Sequence, residues 1–181
     1  FGSPDVKIIS HAPKVALLTG DNVGALAAGE VWSFFEQQLN YPITQLNYSF
    51  FNRIDINKYD VIIAPEGAYK DLATKAVSDK LQAFVRKGGV FIAFESAAQQ
   101  LAANTEWGIK VKELPKADNV DVNNVAKYGE SVTNFLRSSI PGAIYKVYMD
   151  NTHPIGYGTE GIYYDLKQDI VTYEPSAQSW N

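Results

Sequence analysis

The fold is decided by the stretch Gly89-Val-Phe-Ile-Ala-Phe-Glu-Ser-Ala-Ala-Gln-Gln-Leu-Ala102, where an apolar run passes directly into a helical pattern. Its first six residues are typical of a buried strand, and a helix is predicted from about Ser96 to Ala103. Ala93 and Ala97 lie two positions either side of Glu95, and a tight turn between strand and helix requires small residues at those two places. The spacing therefore puts Glu95 at the apex of a strained elbow.

The register of this elbow decides between two candidate apex residues. If the turn were centred on Ser96, one of its flanking residues would be Phe94, which is too large for so tight a turn. The sequence therefore favours Glu95 over Ser96 as the residue that the turn presents. A carboxylate at the start of a helix is also a common capping residue, so a purely structural role for Glu95 stays open.

The chain before this stretch repeats the same plan of apolar strand, turn and amphipathic helix. Because apolar strands that alternate with helices form parallel sheets covered on both faces, the sequence predicts a doubly wound α/β fold with a mostly parallel sheet and helices on both faces. The predicted strands are Lys14–Gly20, Ile43–Tyr48, Asp60–Pro65 and Gly89–Phe94, and the first two helices carry apolar residues from Val23 to Phe35 and from Val77 to Val85.

The second half of the chain is less regular. Residues 115–139 are polar and predict a long excursion from the core, whereas Ile144–Met149 and Ile162–Leu166 predict two more strands, the second antiparallel or at an edge. We expect a lead-in or linker over 1–12 and a single α/β domain over 13–181. The chain opens on Phe1 rather than Met, which predicts either a processed protein or a piece of a longer one, and we favour the piece.

Composition limits the function classes. The 181 residues carry a net charge of -4 without a cluster of Lys and Arg, which argues against nucleic-acid binding. The absence of Cys excludes thiolate nucleophiles and Cys-ligated zinc. No apolar run has the length of a membrane span, and we expect no cofactor in this chain.

Ligands of open parallel sheets bind beyond the carboxyl ends of the strands. The segments at that edge are Gly20–Asn22, Pro65–Gly67, Glu95-Ser96 and the region of His153. These four segments are therefore the predicted place for a site.

The elbow resembles that of class I glutamine amidotransferases, whose pattern is Gly-Ile-Cys-x-Gly-x-Gln-Leu-Leu-Ala. The run Ala93–Ala102 aligns with it without a gap, so that Glu95 falls on the nucleophilic Cys and Gln99 on the Gln of the pattern. The resemblance implies a flavodoxin-like fold of the class I glutamine amidotransferase type. It also implies that the glutaminase nucleophile is missing, since a carboxylate is a poor substitute for a thiolate in amide hydrolysis.

Two further segments are similar to that family. Pro65-Glu66-Gly67 resembles the Pro-Gly-Gly whose backbone amides form the oxyanion hole, and His153-Pro154 resembles the start of the catalytic His-Pro-Glu. Ile155 stands in the place of that Glu, so nothing in the pattern would orient the His. The resemblance therefore implies an inactive amidotransferase-like domain.

A longer run, Ile140–Gly158, is similar to a domain that follows the catalytic domain of certain bacterial zinc carboxypeptidases. That resemblance implies a periplasmic or secreted protein, with an upstream peptidase domain of the same polypeptide as the partner and zinc in that domain. None of the peptidase chemistry is in this chain, because no His-x-x-Glu occurs in it.

Three functions stay open at this point. The first is a non-catalytic accessory domain of a zinc carboxypeptidase-like protein. The second is a module that binds a small polar ligand in the vestigial pocket, and the third is a hydrolase that uses Ser96 or Glu95. The candidate pocket residues are Glu66, Gly67, Glu95, Ser96, Gln99 and His153.

Overall fold

The computed structural model describes residues 11–112, 129–130, 132–133, 142–152, 156–159, 161–167 and 171–174. The chain divides into two compact units, the first built on Phe1–Lys110 with the C-terminal residues and the second on Val111–Glu174. Most of the predicted lead-in and of the polar excursion lies outside the described residues. The single domain expected over 13–181 stays a prediction.

The first unit contains a four-stranded parallel sheet. Its strands are β1 (Val15–Thr19), β2 (Ile43–Asn47), β3 (Val61–Ala64) and β4 (Val90–Ala93), and their order in the sheet is β2-β1-β3-β4. All three pairings are parallel, which confirms the prediction from the apolar runs. The chain moves outward from β1 in both directions, so the switch point of the topology lies between β1 and β3.

Helices cover both faces of this sheet. They are α1 (Ala25–Ser33), continued by a π-helical turn over Phe34–Gln38, then α2 (Lys75–Arg86) and α3 (Glu95–Ala102). On one face Leu81 and Leu101 join the larger apolar cluster, and on the other Val31 and Phe35 pack on Leu17. The doubly wound plan is thereby confirmed.

The remaining strands form two two-stranded sheets. Strands β6 (Ala143–Tyr148) and β7 (Ile162–Lys167) pair antiparallel, as the sequence predicted for the second of them. A further two-stranded sheet joins β5 (Lys110–Val111) to β8 (Tyr173–Glu174).

Gly89 is required by packing at the turn from α2 into β4. A Cβ at Gly89 would lie 2.4 Å from the Phe84 ring, which is itself buried. We therefore expect Gly89→Ala to lower the free energy of unfolding by about 1–3 kcal/mol through overpacking, as measured by urea denaturation.

The matched control is Gly29→Ala in the middle of α1, where an added Cβ would meet nothing within 4 Å. Since glycine costs helices conformational entropy, this change should raise the free energy of unfolding by about 0.5–1 kcal/mol. Equal effects of the two substitutions would contradict the packing of Phe84 against this turn.

Candidate functional site

The turn from β4 into α3 is strained at Glu95, the residue that the spacing of Ala93 and Ala97 put at its apex. Glu95 has a φ of 47°, in the left-handed region that costs a residue with a side chain roughly 1–2 kcal/mol. Ala97 is fully buried and Ala93 packs on the apolar core, so neither flank has room for a larger side chain. Glu95 is therefore the apex of the elbow, and its carboxylate is exposed at the start of α3.

The residue after the apex ties α3 to the loop that follows β3. The Ser96 hydroxyl donates to the carbonyl oxygen of Gly67 at 2.9 Å and accepts from the amide of the same residue, also at 2.9 Å. One helical turn later, Gln100 Nε2 donates to the Gly67 carbonyl at 2.7 Å and to the Ser96 carbonyl at 2.9 Å. Both backbone groups of Gly67 are therefore satisfied by α3 side chains.

The loop that follows β1 holds the β3 loop from the other side. The Gly24 amide donates to the Glu66 carbonyl at 2.8 Å, and the Ala68 amide donates to the Asn22 carbonyl at 2.6 Å. Between these two bonds Val23 and Gly67 form an isolated antiparallel bridge. A Cβ at Gly67 would lie 2.7 Å from the Asn22 oxygen, so only glycine permits this approach.

Two tyrosines of the apolar core stabilise the loop that follows β3. Tyr69 is buried and its hydroxyl donates to the Pro65 carbonyl at 2.8 Å. Tyr48 packs edge-to-face on Tyr69, with ring centroids 4.7 Å apart, and donates to the Asp71 carboxylate. Burial raises the pKa of both hydroxyls, and the bond to Asp71 raises that of Tyr48 further, so both remain donors at physiological pH.

A cavity of about 630 Å³ opens between the β1 and β3 loops and the start of α3. Its size lies within the range of sites for small organic ligands, and it lies at the switch point of the sheet, where such sites are expected. The residues that line it are Asp21, Asn22, Val23, Gly24, Glu66, Gly67, Ala68, Lys70, Ser96 and Gln100.

The structure places the predicted residues unequally. Glu66, Gly67 and Ser96 line the cavity, whereas Glu95 and Gln99 do not. His153 lies outside the described residues. Which of these residues function in the protein stays a prediction.

Sequence reasoning missed Lys70 and Gln100 as lining residues. Gln100 was detectable, because it lies four positions after Ser96 on a predicted helix and residues at that spacing share a face. Alignment with the family pattern drew attention to Gln99 instead. Lys70 lies in a loop, and no periodicity marks it.

The described residues do not bring together the parts of an acyl-transfer site. The Gly67 amide, which the family resemblance assigns to oxyanion stabilisation, already donates to Ser96. His11, the one histidine among the described residues, lies 3.6 Å from Asp60 before β3, at the opposite edge of the sheet from Ser96. Ser96 therefore has no imidazole base in the described part of the chain.

The described residues contain neither a metal-binding cluster nor a helix able to span a membrane. No group of three or more His, Asp or Glu side chains there is arranged to hold a metal ion. Likewise, none of the helices described combines the length and the apolar character that crossing a bilayer requires. The cavity is thus the feature at the carboxyl edge of the sheet with the clearest capacity to bind a ligand.

Comparison with known proteins supports the fold. No protein-family model and no curated protein matches the sequence. Among solved structures, the chain is similar to a glutamine amidotransferase from Thermotoga maritima, with a TM-score of 0.52 and 11% sequence identity. The likeness covers 92% of this chain but 65% of the other, so this chain spans less than two thirds of that protein.

This chain has a glutamine amidotransferase-like α/β fold. Since identity is so low, the likeness shows architecture alone and leaves activity to be argued from the site. The expectation from the elbow sequence is confirmed at that level.

Relief of backbone strain tests the elbow. Glu95→Gly should raise the free energy of unfolding by about 1 kcal/mol relative to Glu95→Ala, because glycine adopts a positive φ without steric cost and alanine does not. Thermal and urea denaturation of the two variants measure the difference. If alanine were as stable as glycine here, Glu95 would not hold the left-handed conformation.

Ser96→Ala tests the tie to the β3 loop. The change leaves the Gly67 amide without its acceptor in a partly buried place, and we expect a loss of about 1–3 kcal/mol in the free energy of unfolding. Ser33→Ala in α1 is the control, since Ser33 is likewise partly buried and its side chain makes no hydrogen bond within the described residues. Hydrogen exchange at Gly67 should accelerate in the first variant and not in the second.

Proposed function

We infer that this chain is a non-catalytic accessory domain of a secreted zinc carboxypeptidase-like protein, with Glu95 in the place of the amidotransferase cysteine. The observation that carries the inference is the elbow itself: its strained turn is retained, while the residue at its apex is a carboxylate. Strain of this kind persists only where the surrounding structure enforces it. On this proposal, the turn of an amidotransferase site is present without the nucleophilic cysteine.

The hydrogen bonding of the site supports a non-catalytic role. An oxyanion hole requires amides that are free to receive developing negative charge. The Gly67 amide is instead engaged by Ser96, whose hydroxyl is engaged in turn by the Gly67 carbonyl. The same pair of bonds disfavours the hydrolase alternative, because the Ser96 proton is directed to a carbonyl rather than to a base.

The assignment to a carboxypeptidase-like parent rests on sequence. Ile140–Gly158 resembles the domain appended to such enzymes, and the chain itself contains no His-x-x-Glu that could bind catalytic zinc. The zinc and the peptidase chemistry are accordingly proposed for an upstream domain, and this chain is proposed to support it.

The first experiment is a glutaminase assay of the purified chain. We expect no release of ammonia from glutamine above the uncatalysed background, because the nucleophile is absent and the Gly67 amide is occupied. Ammonia release that disappears in Glu95→Ala or Ser96→Ala, with folding retained by circular dichroism, would overturn the non-catalytic role.

The second experiment is to sequence the coding region upstream of Phe1. We expect an export signal and a peptidase domain with His-x-x-Glu and a later His as zinc ligands. A start codon immediately before Phe1 would contradict the accessory role and make the chain a free-standing protein.

The cavity favours a second candidate function, the binding of a small polar ligand. It offers about 630 Å³ beside three charged side chains at the edge of the sheet where ligands of this architecture bind. The two functions are compatible, since an accessory domain that holds a ligand need not transform it.

A further inference from the structure

We propose that the cavity binds a short peptide in its zwitterionic form, with the peptide's ammonium group held by Asp21 and Glu66 and its carboxylate held by Lys70. The proposal rests on the accessory role proposed above, because a peptidase is the setting in which a peptide-binding domain would present substrate or retain product. It names the class of ligand that the charges and hydrogen-bonding groups of the cavity would recognise.

The first support is the charge of the lining. Asp21, Glu66 and Lys70 all line the cavity and all are exposed. Within the described part of the chain, none of the three side chains makes an ion pair or a hydrogen bond. Two carboxylates and one ammonium group that do not pair with each other suit a ligand that carries both signs of charge.

The second support is that three backbone amides of the cavity lining already donate hydrogen bonds within the protein. The amides of Gly24, Gly67 and Ala68 all donate to groups of the protein itself. These three amides are therefore not free to bind a phosphate or another compact anion. The mixed charge of the side chains at the rim is what we propose for recognition.

The third support is the remaining capacity for neutral hydrogen bonds. Gln100 Nε2 is engaged by two carbonyl groups, but its Oε1 makes no hydrogen bond within the described residues. The Asn22 side chain also lines the cavity and makes no hydrogen bond there. Amide side chains of this kind pair with peptide N–H and C=O groups.

Size distinguishes a peptide from a single amino acid. The cavity volume of about 630 Å³ falls in the middle of the range for pockets that hold drug-sized ligands, so there is room for more than a single amino acid. The walls are also fixed before binding, since the β1 and β3 loops are cross-linked by two backbone hydrogen bonds and the β3 loop is tied to α3. A preformed site of this kind loses little entropy when its ligand enters.

The test is calorimetric titration of the chain at low ionic strength with trialanine, its N-acetyl form, its C-terminal amide, the doubly blocked peptide and L-alanine. We expect trialanine to bind. Blocking either terminus should raise the dissociation constant about tenfold or more, and added salt should raise it further. Equal binding of free and doubly blocked trialanine, or tighter binding of L-alanine than of the tripeptide, would overturn the proposal.

Two variants assign the ends of the peptide. Lys70→Ala should bind trialanine and its amide equally, and Asp21→Asn combined with Glu66→Gln should bind trialanine and its N-acetyl form equally. Lys58→Ala is the control, because Lys58 is an equally exposed lysine that does not line the cavity. A Lys70→Ala variant that keeps the full preference for a free carboxylate would contradict the assignment.

The outcomes separate this proposal from the proposed function. Absence of trialanine binding by a chain that also lacks glutaminase activity would remove the peptide proposal and leave the non-catalytic role standing. Peptide binding together with glutaminase activity would remove the non-catalytic role and leave the ligand class standing.

Discussion

The reciprocal hydrogen bonds between the Ser96 hydroxyl and the backbone of Gly67 are the contact on which the carboxyl edge of the sheet depends. They join the start of α3 to the loop after β3, and Gln100 reinforces them from one helical turn further on. The same loop is held on its other side by the backbone of Asn22 and Gly24. One side chain thereby fixes the elbow, one wall of the cavity and the state of the Gly67 amide.

This contact also sets the state of the Gly67 amide. A catalytic oxyanion hole leaves an amide unsatisfied until the reaction proceeds, which costs stability in the resting protein. In this structure the Gly67 amide is instead satisfied by Ser96. The left-handed backbone of Glu95 still costs energy, but the buried Ala97 and the short turn from β4 enforce it.

The lining of the cavity bears on what it can recognise. The amides of Gly24, Gly67 and Ala68 donate to the protein itself, so the proposed binding of a polar ligand depends on exposed side chains of mixed charge. Contacts of such side chains respond to ionic strength.

The secondary structure was readable from local pattern because each apolar run and each helical spacing reports burial of its own segment. The strands β1 to β4, the helices and the antiparallel β7 follow from such patterns. The register of the elbow could be predicted for the same reason, since Ala93 and Ala97 lie only two positions from Glu95 and their small size allows the tight turn there. Lys70 and Gln100 were missed because their importance lies in contacts with residues distant along the chain.

The sequence by itself thus determined the α/β class, the parallel sheet, the absence of cysteine from the chain and Glu95 as the apex of the turn. Only the tertiary structure decided that Ser96 bonds to Gly67, that the Gly67 amide is occupied, and that Glu66 rather than Glu95 lines the cavity. The physical reason is the distance along the chain between the interacting residues. Burial and backbone strain depend on residues that are near in sequence and leave a local pattern. A hydrogen bond between residues 29 positions apart forms only once the sheet has brought their loops together.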